Sequence, residues 1–107
     1  MKIDFSSVLK GLDGKELKGD LKGEKSLTLG SVCVESLMAS FPDEERLSGN
    51  DKVKRFKLAQ KIYNKSFVDI TVEDASLIKE LIGKAYGPLI VGQAWDLLEN
   101  NKEVVAE

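Results

Sequence analysis

The chain has 107 residues, a formal net charge of -2, and 42% hydrophobic against 32% charged residues, which fits one globular domain able to bury roughly two thirds of the surface its unfolded form exposes. It has no histidine and one cysteine, Cys33, so an internal disulfide, a cysteine cluster for zinc and a His-activated serine or cysteine nucleophile are all excluded. Arg46 and Arg55 are the two arginines among 16 basic residues; the negative balance gives no overall pull on nucleic acid, and lysine lacks the planar fork that reads phosphate or guanine bidentately.

Residues 1 to 27 are glycine-punctuated and lysine-rich. "KIDF" alternates at period two, and Asp13-Gly14 within "LDGKEL" supplies the pair best suited to a two-residue type I′ turn. This predicts a hairpin with Leu12 opposite Lys15 and Lys10 opposite Leu17. "LKG" occurs at 9–11, 17–19 and 21–23; three residues are too few to mark a repeat architecture, and the recurrence reads as compositional. A hairpin with so few large apolar side chains needs helices or a partner to lean on. "GDLKGEK" lacks the Lys-Ser/Thr that completes a phosphate-binding loop and reads as a flexible connection.

The helical body is expected over 28–99. Thr28 is placed to cap a first helix whose Val34, Leu37, Met38 and Phe41 recur at helical spacing, with Phe41-Pro42 closing it. Asn50 and Asp51 are suited to cap a second helix over 50–64, with Val53, Phe56, Ala59, Ile62 and Tyr63 on one broad face and Lys54, Lys57, Lys61 and Lys65 on the other. Thr71 with Asp74 forms a capping box for a third, carrying the stripe Leu77, Ile78, Leu81, Ile82, Ala85, Tyr86. Gly87 then stands where a left-handed helix stop belongs and Pro88 where a new helix begins. The last helix is apolar around most of its circumference, through Leu89, Ile90, Val91, Ala94, Trp95, Leu97 and Leu98, and needs cover on most sides. Residues 100–107 read as a frayed tail.

No residue set assembles into a catalytic or metal-binding pattern. Asp43, Glu44 and Glu45 lack the alternating ligands and central glycine of a calcium loop, and Cys33, among Val32, Val34 and Leu37, reads as a buried small hydrophobe. Two surfaces remain. The apolar excess of Ile90, Val91, Trp95 and Leu98 is a candidate protein-binding or self-association face, and Lys54, Lys57, Lys61 and Lys65, helped by Lys52 and Arg55, form the alternative, a nucleic-acid-binding helix.

"LDGKELKG", "LTLGSV", "KRFKLAQKIY" and "LIGKAYGPLIVGQAWDLLE" together resemble a group of small uncharacterised proteins of tailed bacteriophages and prophages, over most of the chain and most specifically over 81–98. The resemblance implies a viral or prophage origin and a bacterial host cytoplasm. It carries over no catalytic residue. The cytoplasm also fits an opening segment, "MKIDFSSVLK", without the apolar stretch of a signal peptide, and the lack of a run near the roughly 18 apolar residues that span a bilayer. The expectation is therefore a single domain, mainly α with a small β-hairpin (α+β), an N-terminal hairpin followed by about four helices. It acts without catalysis or cofactor as a phage protein that binds a phage or host protein, in virion assembly or host-factor modulation, with nucleic-acid-binding regulation as the alternative.

Overall fold

A computed structural model describes residues 1–19, 25–44 and 46–99; the expected frayed tail, most of the flexible connection and the third "LKG" lie outside the described residues. The fold is mainly helical, with a two-stranded antiparallel sheet and a hairpin in its N-terminal part. In chain order the elements are β1 (Lys2–Asp4), α1 (Leu29–Met38), a 3-10 turn (Pro42–Glu44), α2 (Gly49–Ile62), β2 (Phe67–Asp69), α3 (Val72–Ala85) and α4 (Pro88–Glu99).

The "KIDF" segment finds its strand partner far along the chain: β1 pairs with β2, Lys2 opposite Asp69, Ile3 opposite Val68 and Asp4 opposite Phe67. Ile3 and Val68 face inward and are buried, as the period-two alternation requires. The N-terminal ammonium donates to the Ile70 carbonyl at 2.9 Å and sits 3.7 Å from the Asp69 carboxylate.

The hairpin about Asp13-Gly14 forms, but its register corrects the expected one. Lys10 lies opposite Glu16, Gly11 N donates to Lys15 O, and Gly14 N donates to Gly11 O. A type I′ turn needs positive φ at both central residues, and Gly14 alone has it here, at +86°. The loop is the three-residue kind, a turn followed by a left-handed glycine.

The strands of this hairpin continue into a closed triangle. Bridges join Lys10 to Glu16, Lys18 to Ser26 and Val8 to Thr28, and the backbone bonds repeat around the ring: Leu17 N to Leu9 O, Leu27 N to Leu17 O, Leu9 N to Leu27 O. A second set follows the same order, from Gly11 to Lys15, Gly19 to Lys25 and Leu29 to Ser7. The "LKG" segments at 9–11 and 17–19 thus hold equivalent positions in two of three sides, which corrects their reading as accident. Closing the triangle leaves no side as an open edge, and Gln93 of α4 clasps it by accepting from Lys10 N and donating to Lys10 O.

The helices start and stop by side-chain chemistry. Thr28 Oγ1 accepts from Ser31 N, and Thr71 and Asp74 form the expected reciprocal box. Ser48, rather than Asn50 or Asp51, caps α2 through Asp51 N at 3.0 Å. The left-handed residue that ends a helix is Asn64, φ 57°, after α2. Gly87 has no positive φ; the corner forms because Tyr86 is extended and Gly87 O accepts from Val91 N as Pro88 opens α4.

α1 lies at the centre, against α2 and α3 and touching α4. Leu29, Val32, Cys33 and Leu37 face inward to meet Phe5, Leu9, Ile62, Ile78, Leu81, Ile82 and Leu98. Gly30 lets α1 approach the N-terminal segment, for a Cβ there would stand 3.0 Å from Phe5 O. Ser36 is fully buried, its hydroxyl donating to Val32 O. Among the described residues no helix is long and apolar enough to cross a membrane.

Candidate interaction surface on the α1–α2 seam

The apolar rows read from sequence on α1 and α2 are rotated from the faces the helices bury. α1 buries Leu29, Val32, Cys33, Ser36 and Leu37, leaving Val34 partly covered and Met38 exposed; α2 buries Arg55, Leu58, Ala59 and Ile62. Met38, Val53, Phe56 and Tyr63 are consequently between 47% and 66% exposed. The sequence grouped Val53, Phe56 and Tyr63 with Ala59 and Ile62 on one broad face; Met38, Phe56 and Tyr63 instead border an open apolar surface where α1 and α2 meet, and Val53 stands on the outer side of α2.

Two open depressions run along that seam and share Met38 and Phe56. One, of about 390 Å³, is walled by Val34, Met38, Phe56, Ala59 and Tyr63 with Lys65 at its end. The other, of about 320 Å³, is walled by Leu37, Met38, Phe41, Leu47 and Phe56, with Lys52 beside it and the Arg55–Glu44 pair in its wall.

That pair explains the rotation of α2. Arg55 donates Nη1 to Glu44 Oε1 at 2.8 Å and Nη2 to Oε2 at 2.7 Å, the planar fork matched by both carboxylate oxygens. Lys84 of α3 reaches the same carboxylate at 3.1 Å and Asp43 at 3.2 Å, and lies 5.5 Å from the Phe41 ring centroid. The Arg55 hydrogen bonds hold the Glu44 carboxyl at about 2, with burial opposing and Lys84 helping; the same bonds raise Arg55, and Lys84 is raised by its own bond to Glu44. The pair lies at the edge of the interior and, with Lys84, ties the 3-10 turn to α2 and α3. Arg55, grouped by sequence with the basic row, therefore faces inward and is removed from it.

The four lysines of that row, Lys54, Lys57, Lys61 and Lys65, are all exposed. At 100° per residue Lys54, Lys57 and Lys61 follow one another along one flank of the strip Val53, Phe56, Gln60, Tyr63.

The candidate residues of α4 divide between interior and surface. Leu98 is 1% exposed and belongs to the core, and Ile90 and Val91 are partly buried against it. Trp95 is 38% exposed. Its indole lies against Gly83, donates Nε1–H to Lys79 O at 3.0 Å, and has Lys79 Nζ 5.2 Å from the ring centroid. Most of the apolar excess of α4 is thus covered within the chain. A further depression joins Leu12, which stands almost fully exposed at the hairpin tip, to Leu89, beside polar Gln93 and Asp96; it offers two large apolar side chains where the two depressions of the seam offer seven.

Cys33 is buried, and burial pushes its thiol up, as expected of a small hydrophobe. Burial likewise raises Tyr86. Among the described residues no cluster of acidic or sulfur ligands could hold a metal ion.

No protein-family model, curated protein or solved structure matches the chain. The sequence put Val53, Phe56 and Tyr63 on the same broad face as Ala59 and Ile62, and periodicity alone does not say which part of that face turns inward. Arg55 at i+2 from Val53 shows which face turned inward only once Glu44 is known to meet it.

Proposed function

We propose that this chain is a non-catalytic binding module that engages a protein partner through the α1–α2 seam. The observation that carries this reading is the exposure of Met38, Phe56 and Tyr63 around two adjoining apolar depressions, on a domain built about one packed core. A patch of this kind on a small domain marks an interface. The sequence resemblance adds the setting: a small protein of a tailed phage or prophage, working in the cytoplasm of a bacterial host on a virion component or a host factor.

The test is photo-crosslinking in a bacterium expressing the chain. A photoreactive residue at Tyr63 gives a discrete protein adduct, and the same residue at exposed Glu73 on α3 gives none. Equal labelling at both positions, or no adduct from position 63, contradicts the reading.

The second reading, nucleic-acid binding, is favoured by one observation, the exposed lysines beside the open rings of Phe56 and Tyr63, since aromatics interleaved with cations stack single-stranded bases. Retention of an oligonucleotide at low salt that disappears on Lys57→Glu with Lys61→Glu would support it; no retention removes it.

A further inference from the structure

We infer that the seam receives an acidic amphipathic helix of a partner protein. The inference rests on the protein-binding reading above and specifies the partner's chemistry. Its shape comes from the walls. Around the depression walled by Val34, Met38, Phe56, Ala59 and Tyr63 both sides are helices whose backbone groups are bonded within the helix, so an extended strand laid there finds few donors or acceptors to pair with. A helix satisfies its own backbone and presents side chains at i, i+4 and i+7 to an apolar groove. The residues of α2 that line the two depressions run from Lys52 to Tyr63, a rise of about 16 Å, which matches roughly three turns of such a partner. Met38, a flexible thioether at the junction of the two depressions, can adapt to anchors of different shape.

The sign of the partner comes from the rim. Lys52 and Lys65 stand at the two ends of the seam, and Lys57 and Lys61 follow the outer flank of α2. The carboxylate within the groove wall, Glu44, is engaged by Arg55 and Lys84; on the α1 side stands Glu35, exposed. The balance of the rim is positive, on a protein of net charge -2. Complementary charge raises encounter rates and rejects basic competitors. A second copy docked symmetrically brings one lysine rim against the other, which disfavours self-pairing through this face. In the groove wall the Arg55 guanidinium is taken by Glu44 and is not available to a phosphate.

The experiment pans a library of helical peptides about 16 residues long, with leucine at i, i+4 and i+7 and Glu, Lys, Gln or Ser randomised elsewhere, against the intact chain. Recovered peptides are rich in Glu and poor in Lys, bind the parent in solution, and weaken at least about tenfold on Phe56→Ser with Tyr63→Ser and on Lys57→Glu with Lys61→Glu. Circular dichroism and melting of both double variants verify that they remain folded. Recovered peptides that are neutral or basic but still lost on Phe56→Ser with Tyr63→Ser overturn the acidic partner while leaving the protein-binding seam standing. Recovery of no peptide, or of peptides indifferent to both variants, overturns the inference. Binding of single-stranded oligonucleotide or of vesicles of anionic phospholipid, lost in those variants and without peptide binding, overturns it together with the protein-binding reading.

Discussion

Glu44→Gln removes one charge from the clasp and keeps its shape. Arg55 then stands 8% exposed with one neutral acceptor where it had two charged ones, while Lys84 keeps Asp43 at 3.2 Å. Removing one partner of a buried ion pair costs 3–5 kcal/mol, and because the side chains of this pair retain 9% and 11% exposure the lower end applies, about 3 kcal/mol. For a domain of this size that lowers Tm by about 12–20 °C, read by circular dichroism at pH 7. The pH dependence supplies the sign. The folded carboxyl is held at about 2 against a usual 4.5, so its stabilising contribution is complete above the unfolded value and is lost as the pH falls from about 4.5 to about 2. The gap between parent and variant is constant from neutrality to about 4.5 and closes below it. A variant within about 1 kcal/mol of the parent at pH 7, or a gap that does not narrow in acid, would refute the clasp.

Two residues of α4 one turn apart are expected to respond differently in chemical denaturation: Leu98→Ala costs about 2–5 kcal/mol as a core truncation, and half-open Trp95→Ala costs less, about 1–2 kcal/mol. Equal costs would contradict the placement of Trp95. Gly87→Ala is neutral or stabilises by up to about 1 kcal/mol, since the position has no positive φ and its Cβ meets nothing, whereas Gly14→Ala, at φ +86°, destabilises by about 1 kcal/mol; paired thermal melts decide. Cys33 reacts with a maleimide no faster than the protein unfolds, measured against denaturant, and rapid labelling in buffer would deny its burial.

Local chemistry carried the legible part of the fold. Thr28 and the Thr71–Asp74 box mark helix starts through bonds to neighbours within three residues, Pro88 does so through its fixed φ, and the α3 stripe is strong enough that Ile78, Leu81 and Ile82 are buried as read. Faces were less legible where two periodic rows competed. On α1, Val34, Leu37, Met38 and Phe41 recur as regularly as Leu29, Val32, Cys33 and Ser36, and Ser36 disguised the buried row because its hydroxyl is satisfied within the helix. On α2 the deciding side chain is Arg55, buried by a carboxylate eleven residues earlier, and no periodicity encodes such a pairing. The partner of β1 lies more than sixty residues away. The seam became visible only after these tertiary choices, because it consists of the side chains that the core did not take.

The most direct measurement is amide and side-chain protection of the chain, free and saturated with a peptide recovered from the library, by hydrogen exchange and NMR. Protection and shift changes along Val53–Tyr63 and at Met38, with Ile90–Trp95 unaltered, are the result predicted here. Changes centred on Ile90, Val91 and Trp95 with α2 unaltered would move the working surface to α4 and contradict the account.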